Sequence, residues 1–194
     1  ILSHLWCAVV PEHPMSAFQR DVFLQMVEGI TAPLSLSATG GVLLGSEYHF
    51  HSVRPGIGLY GGLPFAKATP VINLKLPTIQ VRELVPGEAV GYGNSWTAPK
   101  TTMVATVSGG YADGLPRALS GTDALLYAKG TPCPIVGRIS MDLTTVDVTH
   151  LKEVPEIFEV FGPNQTIDDL ASKAGTIGYE LLTNLGARYA RRGE

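Results

Sequence analysis

The sequence predicts an α/β segment over residues 1–70 followed by a mainly β domain over residues 71–194. Three observations carry this. Up to Tyr60, apolar runs suited to buried strands alternate with a stretch of helical periodicity. From Val71 the pattern changes to period-two alternation, and the strand-like stretches beyond it are short and bounded by Gly and Pro turns. At 194 residues, 45% hydrophobic and 16% charged, the chain can bury one sizeable core or two small ones.

In chain order, Ile1–Val10 reads as a buried strand already in progress, so the chain is expected to be a piece of a longer one. Met15, Phe18, Val22, Met26, Val27 and Ile30 recur at helical spacing, with Ser16 as N-cap and Gly29 as stop signal. Pro33–Ser37 forms a short strand, Ala38-Thr39-Gly40-Gly41 turns into a brief helix ending at Gly45, and Val53–Tyr60 is a third strand. Strands separated by helices imply parallel pairing through crossovers. Two architectures accommodate this: the last three strands of a (β/α)8 barrel, which needs ~250 residues when closed, or a small doubly wound sheet. In either, Arg54-Pro55-Gly56-Ile57 joins a strand end to a glycine turn whose amides can face an anion, and Thr39 and Gly56 are placed to hold a phosphate.

The second segment opens with Ile72, Leu74, Leu76, Ile79, Val81 and Leu84 alternating with other residues, then a turn at Val85-Pro86-Gly87-Glu88. Strands are expected at Thr101–Ser108, Ala124–Ala128, Pro134–Ile139, Thr144–Val148 and Ile157–Phe161, with Lys129-Gly130 as a hairpin turn. Such a set reads as a sandwich or barrel-like β domain. Thr166 followed by Asp169 marks a helix start, and Glu180–Leu185 a second short helix stopped at Gly186.

Several function classes are disfavoured. A net charge of −3 argues against nucleic acid as the main partner, and the Arg188–Arg192 cluster reads as a solvated tail. Cys7 and Cys133 are too few and too far apart for a disulfide framework, which fits a reducing cytoplasm. No apolar run approaches the ~20 residues of a membrane span, so Ala89-Val90-Gly91-Tyr92-Gly93 cannot serve as an ion-channel filter despite its wording. His49 and His51 lack the further ligands of a zinc site, and a polar strand edge is the better reading. No nucleophile elbow is present, and Gly109–Gly114 lacks the spacing of a dinucleotide loop.

Tyr92 lies between Gly91 and Gly93, and Tyr111 follows Gly109-Gly110. Glycines permit tight turns and close backbone approach to a ligand, so a phenol there can meet a small molecule. A free phenol titrates near pH ~10, and a tyrosine acting as a base at neutral pH therefore needs cationic or hydrogen-bonding neighbours.

Taken in order, His4-Leu5, Glu12-His13-Pro14-Met15, Tyr48-His49-Phe50, Val53-Arg54-Pro55-Gly56-Ile57-Gly58-Leu59-Tyr60-Gly61, Val90-Gly91-Tyr92-Gly93, Gly110-Tyr111-Ala112-Asp113-Gly114, Pro134 to Asp142 and Ile177-Gly178-Tyr179-Glu180 resemble bacterial alanine racemase over nearly the whole chain. The resemblance implies the C-terminal half of a pyridoxal-phosphate isomerase. Residues 1–70 would end the cofactor-binding TIM-like barrel, and residues 71–194 would be the C-terminal β domain, serving the site of a second subunit in a homodimer. It implies interconversion of L- and D-alanine by two bases, a cofactor lysine upstream of this chain and a tyrosine matched by Tyr92. By the same resemblance Arg54 faces the pyridine nitrogen and His4 lies between Arg54 and the tyrosine. Thr39, Gly56, Ile57 and Tyr179 hold the phosphate, and Tyr111, Met141 and Asp142 surround the substrate mouth. Arg117 and Arg138 line the outer entry corridor. The family's acidic pair is replaced here by Val9-Val10, and its Asn-Ser pair by Ala38-Thr39, which keeps one hydroxyl. Two further readings stand beside this one: a broad-specificity amino-acid racemase of the same fold, and a non-catalytic β module used for dimerisation.

Overall fold

The computed structural model describes residues 1–193, which form two compact units meeting at Val71 and Ile72. In the first unit the expected parallel order is present, but as isolated bridges rather than strands. Leu2 pairs with Ser35 and Ala38 with Arg54, both parallel. The backbone hydrogen bonds are few: Ser3 N–H donates to Ser35, Ser35 N–H to Ile1, and Arg54 N–H to Ser37. The strand expected over Ile1–Val10 ends early, because residues 6–12 turn back through bends closed by bonds such as Val10 N–H to Cys7. The third stretch also leaves extended geometry, forming a 3-10 turn at Ile57–Tyr60. Tyr48 ends another 3-10 turn, Ser46–Tyr48, and Phe50 takes a left-handed φ of 53°, so this stretch is no strand edge.

Helix α1 spans Met15–Met26 and α2 spans Thr39–Leu44. Pro14, not Ser16, precedes the first turn of α1, consistent with a residue whose missing N–H has no helical role there. The buried face of α1 is set by Ser16 and Phe23, whereas Phe18 and Met26 point outward. Phe23 stacks edge-on to Phe50 at 5.4 Å, and with Leu5, Val27, Leu36 and Tyr48 it forms the unit's core. Both histidines of the Tyr48–His51 stretch are used internally: the His49 ring bonds the Val42 carbonyl and His51 Nδ1 accepts from Leu34 N–H.

In the second unit the alternation is realised as a six-stranded antiparallel sheet. Its strands are β1 Leu74–Leu84, β4 Thr102–Ser108, β5 Leu125–Ala128, β6 Thr131–Pro134, β7 Leu143–Asp147 and β8 Ile157–Phe161, in the order β6-β5-β8-β1-β4-β7. The short strands β2 Ala89–Val90 and β3 Trp96–Thr97 pair separately. Strand β1 serves two neighbours, with Leu74–Pro77 along β8 and Thr78–Leu84 along β4, and an irregularity at Thr78/Gln80 bends it between them. Just past β6, Ile135 bridges Val146 of β7, so the two ends of the sheet meet and it curls on itself. Inside lie Leu76, Val107, Leu126, Val146, Phe158 and Val160.

Lys129 and Gly130 take φ of 48° and 86°. Two successive left-handed residues make the turn that matches strand twist, so β6 starts immediately after it and earlier than the expected Pro134–Ile139 strand. Helix α3, Ile167–Lys173, opens on the predicted reciprocal cap: Asp169 N–H donates to Thr166 Oγ1 while Thr166 N–H donates to Asp169 Oδ2. Helix α4 spans Gly178–Asn184. Among the described residues, no helix is long and apolar enough to cross a membrane.

Cys133 is fully buried, and burial pushes its thiol pKa up from 9.0 to about 11. Between those values the unfolded chain releases this proton before the folded one, so the thiol contributes stability that is lost as pH rises through about 11. Unfolding stability should therefore fall on the order of 1–3 kcal/mol across this alkaline window. Urea titrations at pH 9 and 11 check this, and Cys133→Ala should flatten the slope.

Candidate active site

Thr39, Arg54, Gly56, Ile57 and His4 belong to the first unit. Thr39, buried at the start of α2, is the organising residue. Its Oγ1 accepts from Gly56 N–H at 2.9 Å and Gly58 N–H at 3.3 Å, tying α2 to the turn after Arg54. The Gly56 amide is thus engaged by Thr39 rather than open to an anion. Thr39 keeps its own O–H as a donor, and Ile57, opening a 3-10 turn, presents an N–H with no helical partner. A Cβ built on Gly56 meets nothing within 4 Å, so the space beside this turn is open.

Arg54 is fixed by three acceptors: Ser35 Oγ at 2.5 Å, the Ser3 carbonyl at 2.7 Å and the Leu36 carbonyl at 3.3 Å. A guanidinium carries five N–H donors, so two remain for another acceptor. The bond to Ser3 brings Arg54 to the backbone beside His4. The His4 ring itself has no hydrogen bond among the described residues, while its carbonyl accepts from Gln19.

Tyr92, Tyr111, Arg117, Arg138, Met141, Asp142 and Tyr179 belong to the second unit. Tyr92 is 73% exposed on a turn closed by Asn94 N–H to the Gly91 carbonyl. Gly91 has φ 84°, and a Cβ there would fall 2.4 Å from the Arg138 backbone nitrogen. A Cβ on Gly137 would fall 2.7 Å from the Val90 carbonyl. The tyrosine turn therefore lies directly on the 137–138 backbone, and Arg138 Nη1 would be 3.1 Å from a Cβ on Gly93. Ile139 N–H donates to Ser120 Oγ, joining the Arg138 segment to the 3-10 turn that begins at Arg117.

The loops carrying Tyr111 and Met141 form one block. Tyr111 N–H donates to Ser140, Ala112 N–H to Met141 and Gly109 N–H to Asp142, all to carbonyl oxygens. Tyr111 and Met141 are both exposed on this block. Tyr179, in the first turn of α4, is as exposed as Tyr111, and desolvation by its surroundings followed by the Asp168 charge raises its phenol pKa.

Arg188 is the residue the sequence reading missed. It is not a solvated tail: Nε pairs with Asp113 at 2.8 Å and Nη1 with Asp142 at 2.7 Å. Those partners lie far away along the chain, 46 residues in the case of Asp142, so no local spacing signals them. Next to it the Tyr189 phenol is buried without a hydrogen-bond partner, and burial followed by the Asp113 charge pushes its pKa up to about 12. A concavity of about 730 Å³, lined by residues including Lys75, Tyr127, Lys129, Glu156 and Glu159, includes none of Tyr92, Tyr111, Tyr179 and Tyr189. Among the described residues no cluster of His, Cys, Asp and Glu could hold a metal ion.

The contact under Tyr92 is open to a paired test. Gly87 and Gly91 both have left-handed φ, 92° and 84°, yet only Gly91 is crowded. Gly87→Ala should lose about 1 kcal/mol from backbone strain alone. Gly91→Ala should lose at least ~1 kcal/mol more from overpacking, read as a lower urea midpoint.

The family model described as "Alanine racemase, C-terminal domain" matches residues 71–193, and that described as "Alanine racemase, N-terminal domain" matches residues 1–64. The chain is 62% identical over 192 residues to an alanine racemase of Cereibacter sphaeroides (strain ATCC 17029 / ATH 2.4.9), covering 99% of this chain and 55% of that protein. It is 58% identical over 191 residues to an alanine racemase of Ruegeria sp. (strain TM1040), covering 98% and 55%. The crystal structure of alanine racemase from Bartonella henselae, with covalently bound pyridoxal phosphate, superposes with a TM-score of 0.92 at 38% identity, covering 99% of this chain and 55% of that one. The chain thus spans about half the length of these relatives. With both domain models matched in order and a relative at 62% identity along nearly all of it, the chain belongs to the alanine racemase family.

Proposed function

We propose that this chain is the tyrosine-bearing part of a pyridoxal-phosphate-dependent racemase that interconverts L- and D-alanine, supplying D-alanine for the cell wall from the cytoplasm. In this reading residues 1–70 close the cofactor-binding barrel, and residues 71–194 serve the site of a partner copy in a homodimer. The observation that carries it is the presentation of Tyr92: a 73% exposed phenol on a turn that glycine packing fixes to the Arg138 backbone. Such a group is rigid at its base and open at its tip, as a proton-transfer residue must be.

The residues of the first unit fit the cofactor. The Thr39 hydroxyl and the Ile57 amide offer donors beside the open space at Gly56, suited to a phosphate; Tyr179 is assigned to the phosphate by family resemblance alone. When bound, pyridoxal phosphate supplies an electron sink that makes the α proton of alanine removable. Arg54, held by three acceptors, has donors left that would face the pyridine nitrogen of a bound cofactor, and because a guanidinium does not release its proton, Arg54 would leave that nitrogen unprotonated. His4 lies next to Ser3, whose carbonyl holds Arg54, and is assigned the link from Arg54 towards the tyrosine.

The Tyr92 Oη takes or returns the α proton on one face of the substrate. The base of the opposite face is a cofactor lysine, a role assigned to none of Lys67, Lys75, Lys100, Lys129, Lys152 and Lys173. Tyr111, Met141 and Asp142 restrict the mouth, with Arg117 and Arg138 outside it.

The test uses the full-length protein loaded with pyridoxal phosphate. Conversion of L-alanine to D-alanine and the reverse should be cofactor-dependent, and Thr39→Val should weaken cofactor retention by about tenfold, the loss of one phosphate hydrogen bond. Comparable rates with larger amino acids would favour a broad-specificity racemase instead. Absence of any racemisation by the loaded protein would leave a non-catalytic dimerisation module.

A further inference from the structure

Three segments distant in sequence meet under the proposed substrate mouth: residues 109–115, residues 140–143 and residues 184–188. The first two are joined by backbone bonds from Gly109, Tyr111 and Ala112 to the carbonyls of 142, 140 and 141. They approach so closely that a Cβ on Gly110 would fall 2.3 Å from the Ser140 carbonyl oxygen. The third is joined by Gly186 N–H to the Asp113 carbonyl, and a Cβ on Gly114 would fall 2.2 Å from the Asn184 carbonyl oxygen. Side chains at the mouth are oriented by these backbones, so whatever fixes the backbones fixes the opening.

Arg188 holds all three. Asp113 is only 9% exposed at its side chain, and its Oδ2 already accepts from Gly110 N–H at 3.0 Å. Its Oδ1 takes Arg188 Nε, while the same guanidinium reaches across to Asp142 Oδ1. Both ends of the grip sit within two residues of a mouth side chain: Asp113 follows Tyr111 in one 3-10 turn, and Asp142 follows Met141 in a turn closed by Ser140 and Leu143. An exposed ion pair between two long side chains contributes little by itself. This one differs because one carboxylate is buried and because a planar guanidinium fixes the direction of both bonds at once, which a lysine cannot do.

We propose that Arg188 is a positioning residue that sets substrate size: by binding Asp113 and Asp142 together it fixes the separation of Tyr111 and Met141, and so excludes amino acids larger than alanine. This rests on the racemase reading above. Arg188 touches neither substrate nor cofactor in this account, and its effect passes through the two aspartates.

The test uses the full-length holoenzyme with Arg188→Ala and Arg188→Lys, measuring kcat and KM for L-alanine and for L-2-aminobutyrate, which is one methylene longer. One methylene supports roughly 10–200-fold discrimination in a well-formed pocket. Arg188→Ala should reduce the ratio of kcat/KM values, alanine over 2-aminobutyrate, by about fivefold or more, through a raised KM for alanine and a lowered KM for 2-aminobutyrate. Arg188→Lys, able to meet one carboxylate at a time, should recover part of the ratio and keeps the test decisive where the alanine variant does not fold. A ratio unchanged in a folded variant overturns the proposal, as does an equal loss of kcat for both substrates, which a purely structural role would give. Lack of racemase activity in the unsubstituted holoenzyme removes the underlying function and this inference with it.

Discussion

Backbone lying on backbone, with no room for a side chain between, is the constraint on which the second unit's functional face depends. At Gly91 and Gly137 the tyrosine turn rests on the strand-to-loop passage before Arg138, and at Gly110 the Tyr111 loop rests on Ser140 and Met141. Each contact holds a loop at a fixed position on a curled sheet whose interior is filled by fully buried Leu76, Leu126, Phe158 and Val160. Burial of those apolar side chains stabilises the sheet. The glycine contacts transmit its rigidity to Tyr92 and Tyr111, which remain exposed.

In the proposed function the chemistry would be divided between two units whose local structures suit different tasks. In the first, Thr39 and the turn at Gly56 offer hydrogen-bond donors, and Arg54 is a cation pinned by Ser3, Ser35 and Leu36 with donors to spare. In the second, exposed phenols stand on short loops above a packed sheet. Under that proposal, binding of a charged cofactor and transfer of a proton would fall to separate scaffolds. A proton-transfer group must sit within hydrogen-bond reach of the substrate carbon's proton, which places the burden on backbone precision rather than on side-chain contacts.

Period-two alternation made β1, β4, β5, β7 and β8 legible in the sequence, and local chemistry revealed the Lys129-Gly130 turn and the Thr166/Asp169 cap. The glycine-framed tyrosines also announced themselves, because a glycine's need for positive φ or close approach is a local property. What failed was non-local. The apolar run over Ile1–Val10 bends after Leu5 because it has a parallel partner only near Leu2, and periodicity alone could not show which face of α1 meets Phe50. Arg188 was hidden for the same reason: its carboxylates come from two loops brought beside it only by the folded sheet.

The central claim is that Tyr92 moves the α proton on one face of alanine, and isotope exchange tests it most directly. In deuterium oxide, the full-length holoenzyme carrying Tyr92→Phe should retain its cofactor and exchange the α proton of one alanine enantiomer normally. Exchange from the other should slow by roughly 10²–10⁴, the range for loss of a positioned general base. Equal exchange rates from L-alanine and D-alanine in that variant would contradict the account.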